Sequence, residues 1–220
     1  MAITVSYSGI NMYKDCPSAF YRKYVAKEEG GAEPTRETAP AMFRGTDLHN
    51  AIEDMLLGKR ERLPKDIQGY DGFVKQLADL GAKPEVAFAW DANWEATGFD
   101  AEEAAIRGFY DCKVVTPNQL TIYEWKTGKV YPEHVTQRHL YGMSAMLEHP
   151  EHESVNVITT YLDLMENASV TYHSPMLSTY KWMWTKYINK CQPPQPYPMR
   201  PSWKCRTCQF SKKNGGKCPN

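Results

Sequence analysis

Apolar and polar residues alternate with a period of two over 84–90, and β-branched and aromatic residues crowd 109–115 and 120–125. These patterns predict strands at 84–90, 106–115 and 119–126. Thr116-Pro117-Asn118 supplies turn chemistry between the last two, so 108–128 reads as a hairpin. A second hairpin, 154–164 with 168–173, is predicted around Glu166-Asn167. Helical spacing marks much of the rest. Ile10, Tyr13, Phe20, Tyr21 and Tyr24 follow a Ser8 cap, and Cys16-Pro17 breaks or kinks that run. An amphipathic helix is expected over 42–57, and another from an Asp66 cap to about Leu80, where Gly81 stops it. Pro132 suits the first turn of a helix reaching about Leu147, and Pro175 that of a last helix. Residues 28–41, 58–64 and 91–103 read as loop, and 193–201, with five prolines, as an extended tether. Strands and helices in this order predict an α/β fold: one central mixed sheet flanked by helices, in a single domain of 220 residues.

Charges inside the first hairpin change the picture. Asp111 lies in one strand, and Glu124 and Lys126 in the other, two residues apart and therefore on one face. Strand pairing would bring Asp111 to that face. Such charges in half-buried strands are costly unless they pair with one another or hold a cation. Two carboxylates suit Mg²⁺ or Mn²⁺, and the lysine could orient or deprotonate a metal-activated water. An Asp–Lys–Glu salt-bridge cluster on an exposed sheet would give the same hairpin pattern. Nearby, His49 and Glu53 share a helix face, as do Gln137 and Tyr141. Glu85, at the start of its strand, could join the acidic site, but a solvated strand end is the expectation.

Basic and acidic residues balance at 26 each, so a nucleic-acid contact would need a local patch, not overall charge. Neither a signal-peptide pattern nor an apolar stretch near the roughly 20 residues of a membrane span is present, and an intracellular, cytoplasmic setting is expected. Thiols stay reduced there, which makes the six cysteines better ligand than disulfide candidates. Cys205-x-x-Cys208 with Cys218 lacks a fourth ligand. Cys16 sits in a turn-like break, Cys112 alternates into the core, and Cys191 ends a helix; six histidines are also available. Spacing does not separate zinc from iron–sulfur. The aromatic stripe of the first helix reads as core, and Lys181, Lys186 and Lys190 as a basic face that solvation alone would explain. Gly-rich phosphate loops and Gly-x-Ser-x-Gly elbows are missing from the sequence.

Together these residues resemble the RecB-like branch of the PD-(D/E)XK nuclease superfamily. The likeness is closest to iron–sulfur exonucleases of the CRISPR-adaptation type and to the AddB nuclease domain. Ser6-Tyr-Ser with Cys16-Pro17 and Tyr21 resembles the N-terminal helix of that branch, and Gly45-Thr-Asp-Leu-His49 its G-x-x-x-H helix. Gly108-Phe-Tyr-Asp111 matches G-x-x-D, Glu124-Trp-Lys-Thr-Gly128 matches D/E-x-K-T-G, and Gln137-x-x-x-Tyr141 matches Q-x-x-x-Y. Position 124 is Glu where many relatives carry Asp, and the gap from Cys208 to Cys218 is long.

The resemblance implies that His49, Asp111, Glu124 and the Trp125 carbonyl bind Mg²⁺ or Mn²⁺. Lys126 would position the attacking water, and Gln137 and Tyr141 would steady the phosphate or Lys126. Cys16, Cys205, Cys208 and Cys218 would hold a 4Fe–4S cluster, with Zn²⁺ as the alternative. Residues 1–27 and 191–220 would form the cluster module and 42–190 the nuclease core. The activity implied is exonucleolytic hydrolysis of DNA, single-stranded or at free ends. The alternative is a catalytically silent DNA-binding module of a helicase–nuclease or recombination complex. RNA as substrate, cleavage polarity and oligomeric state stay open at this stage.

Overall fold

Five strands form one sheet in sequence order in the computed structural model, which describes residues 2–31, 33–193 and 196–219. They are β1 (Lys83–Trp90), β2 (Ile106–Thr116), β3 (Gln119–Lys126), β4 (Ser154–Tyr161) and β5 (Glu166–His173). β2 and β3 pair antiparallel, and Thr116 faces Gln119 across a turn of Pro117 and Asn118. β3 and β4 run parallel. A parallel pair cannot be joined by a tight turn, and the connection here is α5 (Glu133–Glu148), which packs against β3, β4 and β5. β4 and β5 return to antiparallel pairing. The α/β expectation, a mixed sheet flanked by helices, is what the chain forms.

The helices α3 (Pro40–Leu56) and α4 (Asp71–Asp79) cover the sheet with Leu48, Ile52, Met55, Val74 and Leu77. These pack with Cys112 and Val114 of β2 and Tyr123 and Trp125 of β3 in one apolar cluster. Cys112 therefore belongs to the core, and burial pushes its thiol up to about 12. Gly108, third in β2, lies against the Phe88 ring. A Cβ there would lie 2.7 Å from that ring, inside van der Waals contact. Gly108→Ala is expected to cost about 1–3 kcal/mol through overpacking and to reduce activity by shifting Asp111, three residues on. Denaturant unfolding beside a cleavage assay checks this; unchanged stability would remove the packing role.

Several boundaries differ from expectation for visible reasons. The β4–β5 turn is not at Glu166-Asn167, because Glu166 pairs with Tyr161 and Asn167 with Thr160. It falls at 162–165: Leu162 is buried and gives its N–H to the Lys126 carbonyl, and Met165 takes a left-handed φ of 53°. Ser6, not Ser8, caps α1 (Tyr7–Asp15), its Oγ accepting the Gly9 N–H at 3.2 Å. Asp66 caps no α-helix. It pairs with Arg44 in a 3₁₀ segment, Lys65–Tyr70, and α4 begins only at Asp71. Gly81 does stop the helical region, at φ 75°.

The chain divides into two compact units. One comprises Pro40–Phe88 and Gly108–Trp184, with most of the sheet, α3, α4 and α5. The other comprises Met1–Ala39, Ala89–Arg107 and Thr185–Asn220. In it α1 and the short α2 (Pro17–Phe20) meet at Cys16, Tyr21–Val25 continues as a π-helical turn, and Val5 forms a bridge with Ile106. The last helix, α6 (Leu177–Cys191), precedes the proline tether expected at 193–201, of which Pro194 and Gln195 lie outside the described residues. Among the described residues no helix is long and apolar enough to cross a membrane.

Candidate active site

Glu124 is the best-buried carboxylate of the sheet unit, 3% exposed, because β3 lies between neighbouring strands and beneath α5. Its Oε1 accepts from Lys126 Nζ at 2.5 Å and from Gln137 Nε2 at 2.7 Å. Gln137 also donates to the Tyr141 hydroxyl at 2.9 Å. The four-residue spacing on α5 thus forms a relay of two side chains ending on the carboxylate. Gln137 braces Glu124 directly, and Tyr141 acts on it through Gln137. Glu124 Oε2 is buried and accepts no hydrogen bond among the described residues. Burial raises the Glu124 pKa, the charge of Asp111 raises it further, and Lys126 and His49 oppose both.

Asp111 joins the site from β2. Its Oδ2 accepts the Trp125 N–H at 2.7 Å, and its Oδ1 lies 3.6 Å from His49 Nδ1 on α3. Trp125 stacks its ring on Tyr123 in the core, so its main chain carries its contribution here. Burial lowers the His49 pKa, but the adjoining Asp111 carboxylate, with the charge of Glu124, outweighs it and leaves the value raised.

Glu85 is the residue that sequence reasoning assigned to solvent. It is exposed, yet one ligand atom each from His49, Glu85 and Asp111 lies within 4.8 Å of the others. At φ 47° it occupies the left-handed region in mid-strand, where non-glycine residues are uncommon. A depression of about 390 Å³ adjoins these groups, lined by Gly45, Thr46, His49, Asn50, Glu53 and Glu85.

The donor set suits a hard divalent cation, with carboxylate oxygens and an imidazole gathered at one end of the sheet. The unsatisfied Glu124 oxygen is the specific fit, since a buried carboxylate oxygen without a donor is costly and a cation would compensate it. The ligand atoms of His49, Glu85 and Asp111 lie close enough together to hold Mg²⁺ or Mn²⁺, and the unbonded oxygen of Glu124, beside Asp111, would add a further ligand. Glu85→Gln keeps the size and removes the charge; it is expected to weaken Mn²⁺ binding by roughly tenfold. Calorimetric titration reads this directly, and an unchanged affinity would return Glu85 to the solvent.

The segment after Lys126 is pinned. Gly128 takes φ 78° and gives its N–H to Asp163 Oδ2 at 2.7 Å. Asp163 also receives both terminal nitrogens of Arg44, at 3.0 and 2.7 Å. That bidentate bond comes first in holding the Asp163 carboxyl below its usual range. A depressed acid stabilises the fold above its unfolded pKa, and that contribution is lost as pH falls through the folded value. Arg44 is therefore expected to clamp this loop at neutral pH and to release it only in strong acid. A Cβ at Gly45 would lie 3.3 Å from Thr127 Oγ1, so the glycine lets α3 approach the same loop.

The four cysteines expected to share a ligand lie in the other unit, and none forms a disulfide. Cys16 Sγ accepts the Arg200 N–H at 3.5 Å, and Cys205 Sγ accepts the Ser202 N–H at 3.4 Å. Cys218 Sγ contacts Met199 Sδ at 3.8 Å, and Cys218 bridges Ser211 in the tail. Segment 199–205 thus meets three of the sulfurs. Among the described residues, the four sulfurs do not form a group with all atoms within 4.8 Å of one another. Two of the four sulfurs, those of Cys16 and Cys205, meet main-chain N–H donors. Cys191 is buried, and its thiol is pushed up to about 12, which leaves it inert.

A model of the PD-(D/E)XK nuclease superfamily matches residues 4–212. Among solved structures, a crystal structure of SSO0001 is 18% identical over 94% of this chain and 83% of that chain, with a TM-score of 0.48. The comparison with curated proteins found no match.

Proposed function

Because the chain belongs to the PD-(D/E)XK nuclease superfamily, whose members hydrolyse phosphodiester bonds with a divalent metal, we propose that it is a metal-dependent DNA exonuclease of the RecB-like branch. The substrate is single-stranded DNA or a DNA end. One observation carries this reading: Glu124, buried and with one oxygen unsatisfied, stands beside Asp111, His49 and Lys126. A silent binding module has no use for so costly an arrangement.

Each side chain has a distinct part. Gln137 and Tyr141 fix the Glu124 carboxylate from α5. His49 and the Trp125 N–H fix Asp111. Lys126 neutralises Glu124 and sets an ammonium where it can orient the attacking water and meet charge developing on the phosphate. A bound Mg²⁺ or Mn²⁺ would supply Lewis-acid stabilisation of the phosphate and acidify a water.

The cysteines belong to the same proposal. Cys16, Cys205, Cys208 and Cys218 hold a 4Fe–4S cluster, the residues 1–27 and 191–220 form its module, and 42–190 form the nuclease core. The order of the cysteines and the N–H groups directed at Cys16 and Cys205 support this. Anaerobically purified protein, Mn²⁺ and end-labelled DNA and RNA, single- and double-stranded, test the activity on one gel. Successive shortening of DNA from one end is expected; cleavage confined to RNA, or internal cuts only, would overturn it.

A further inference from the structure

A cavity of about 420 Å³ in the cysteine-bearing unit is lined by Ile10, Tyr13, Lys14, Tyr187, Lys190 and Arg200. The chain as a whole carries no net charge, but this cavity gathers three cations and no carboxylate among its lining residues. The acid adjacent in sequence, Asp15, is engaged elsewhere: its Oδ2 accepts from Lys204 at 2.6 Å. The cations are held in place. Lys14 Nζ rests 4.3 Å from the centre of the Tyr187 ring, and Arg200 Nη1 donates to the Lys14 carbonyl at 2.8 Å. Burial lowers the Lys14 pKa; Cys191 opposes that and the like charge of Lys190 adds to it, so an anion here would relieve a standing cost.

The remaining lining chooses among anions. Ile10 and the two tyrosines give apolar, aromatic walls that a bare phosphate would leave unused. Cationic groups interleaved with aromatic rings are the chemistry of single-stranded nucleic acid, whose phosphates meet the charges and whose unpaired bases meet the rings. The volume falls in the range of roughly 300–1,000 Å³ typical of small-ligand sites, room for about one nucleotide. A paired base cannot offer its face to such a pocket.

We propose that this cavity is a nucleotide-binding site for single-stranded DNA, with Lys14, Lys190 and Arg200 on the phosphate and Tyr13, Tyr187 and Ile10 against the base and sugar. It rests on the reading that single-stranded DNA is the substrate, and it adds a second contact region in a unit without the acidic site.

The test avoids cleavage by working in EDTA. Wild-type protein is acetylated briefly with and without a short oligo(dT), and each lysine is read by mass spectrometry. Lys14 and Lys190 are expected to be protected and Lys75, on α4, is not. In parallel, Lys14→Gln/Lys190→Gln is expected to bind the labelled oligonucleotide about tenfold more weakly, with its salt slope reduced by about 0.7 for each cation removed. Absence of protection in the wild type would overturn the site whatever the variant's stability. Equal protection by inorganic phosphate would reduce it to an anion site and overturn the nucleotide reading, and protection by oligo(rU) but not oligo(dT) would overturn the assignment to DNA. Protein that is protected in EDTA but never cuts with Mn²⁺ would refute the nuclease proposal and leave this one standing. Protein that cuts while Lys14 stays unprotected would do the reverse.

Discussion

Lys126→Ala is expected to lower the cleavage rate by about 10²–10⁴-fold, the range for losing a positioned proton-transfer or charge-stabilising group, while DNA binding survives. The geometry gives the reason. Lys126 is the cation bonded to Glu124, and its ammonium can meet charge developing on the phosphate, whereas Gln137 braces the carboxylate and Tyr141 braces Gln137. Removing the ammonium leaves Glu124 buried, but burial already favours its protonated form, so the fold can answer by taking up a proton instead of opening. Saturating Mn²⁺ separates the chemical defect from weaker metal binding. Single-turnover cleavage beside a binding assay in EDTA measures both; near-normal turnover would contradict the assignment of Lys126.

Cys16→Ser should have the largest effect on stability. Cys16 separates α1 from α2, and its sulfur accepts a main-chain N–H from Arg200, a residue far along the chain. The proposed cluster, tying it to Cys205, Cys208 and Cys218, would close nearly the whole chain into a loop. By the chain-entropy account of long cross-links this is worth about 5 kcal/mol. In a chain of this length such a loss corresponds to a melting point lower by about 10–20 °C. Serine keeps the size and the break between the helices, so the loss would report the ligand. Thermal unfolding with iron and zinc analysis, performed anaerobically, checks it. Brown protein with iron is expected for the wild type, and colourless protein for the variant. Equal melting points and metal contents would exclude Cys16 as a ligand, and stoichiometric zinc in the wild type would move the site to a zinc centre.

How much could be read from the sequence varies with how local the cause was. The 108–128 hairpin was legible because strand alternation and a Thr-Pro-Asn turn are local signals, and its bounds moved by only a residue or so. The β4–β5 turn was misplaced because it is set by burial of Leu162 and by the capture of Asp163 by Arg44, contacts that cross much of the chain. Glu85 reads as a solvated strand end and is exposed, but its approach to His49 and Asp111 joins three segments of the chain, which its place at the start of a strand does not reveal. The pairing of Gln137 and Tyr141 on one helix face followed from their spacing, but which group they would hold did not. The basic pocket was least legible. Lys14, Lys190 and Arg200 come from distant segments, and Lys190 belonged to a lysine series that solvation alone would explain.

In the proposed mechanism His49, Asp111 and Glu124 would hold a divalent cation, and Lys126 would orient the water that cuts DNA. The most direct test is the Mn²⁺ dependence of cleavage of end-labelled single-stranded DNA by the wild type and by Glu124→Gln, with Mn²⁺ binding measured on the same samples. Glu124→Gln keeps the shape of the site and removes one charge. The wild type should bind Mn²⁺ and shorten the strand, and the variant should do neither at the same concentration. Cleavage by the variant at the wild-type rate, or a wild type that binds Mn²⁺ and leaves the strand intact, would contradict the account.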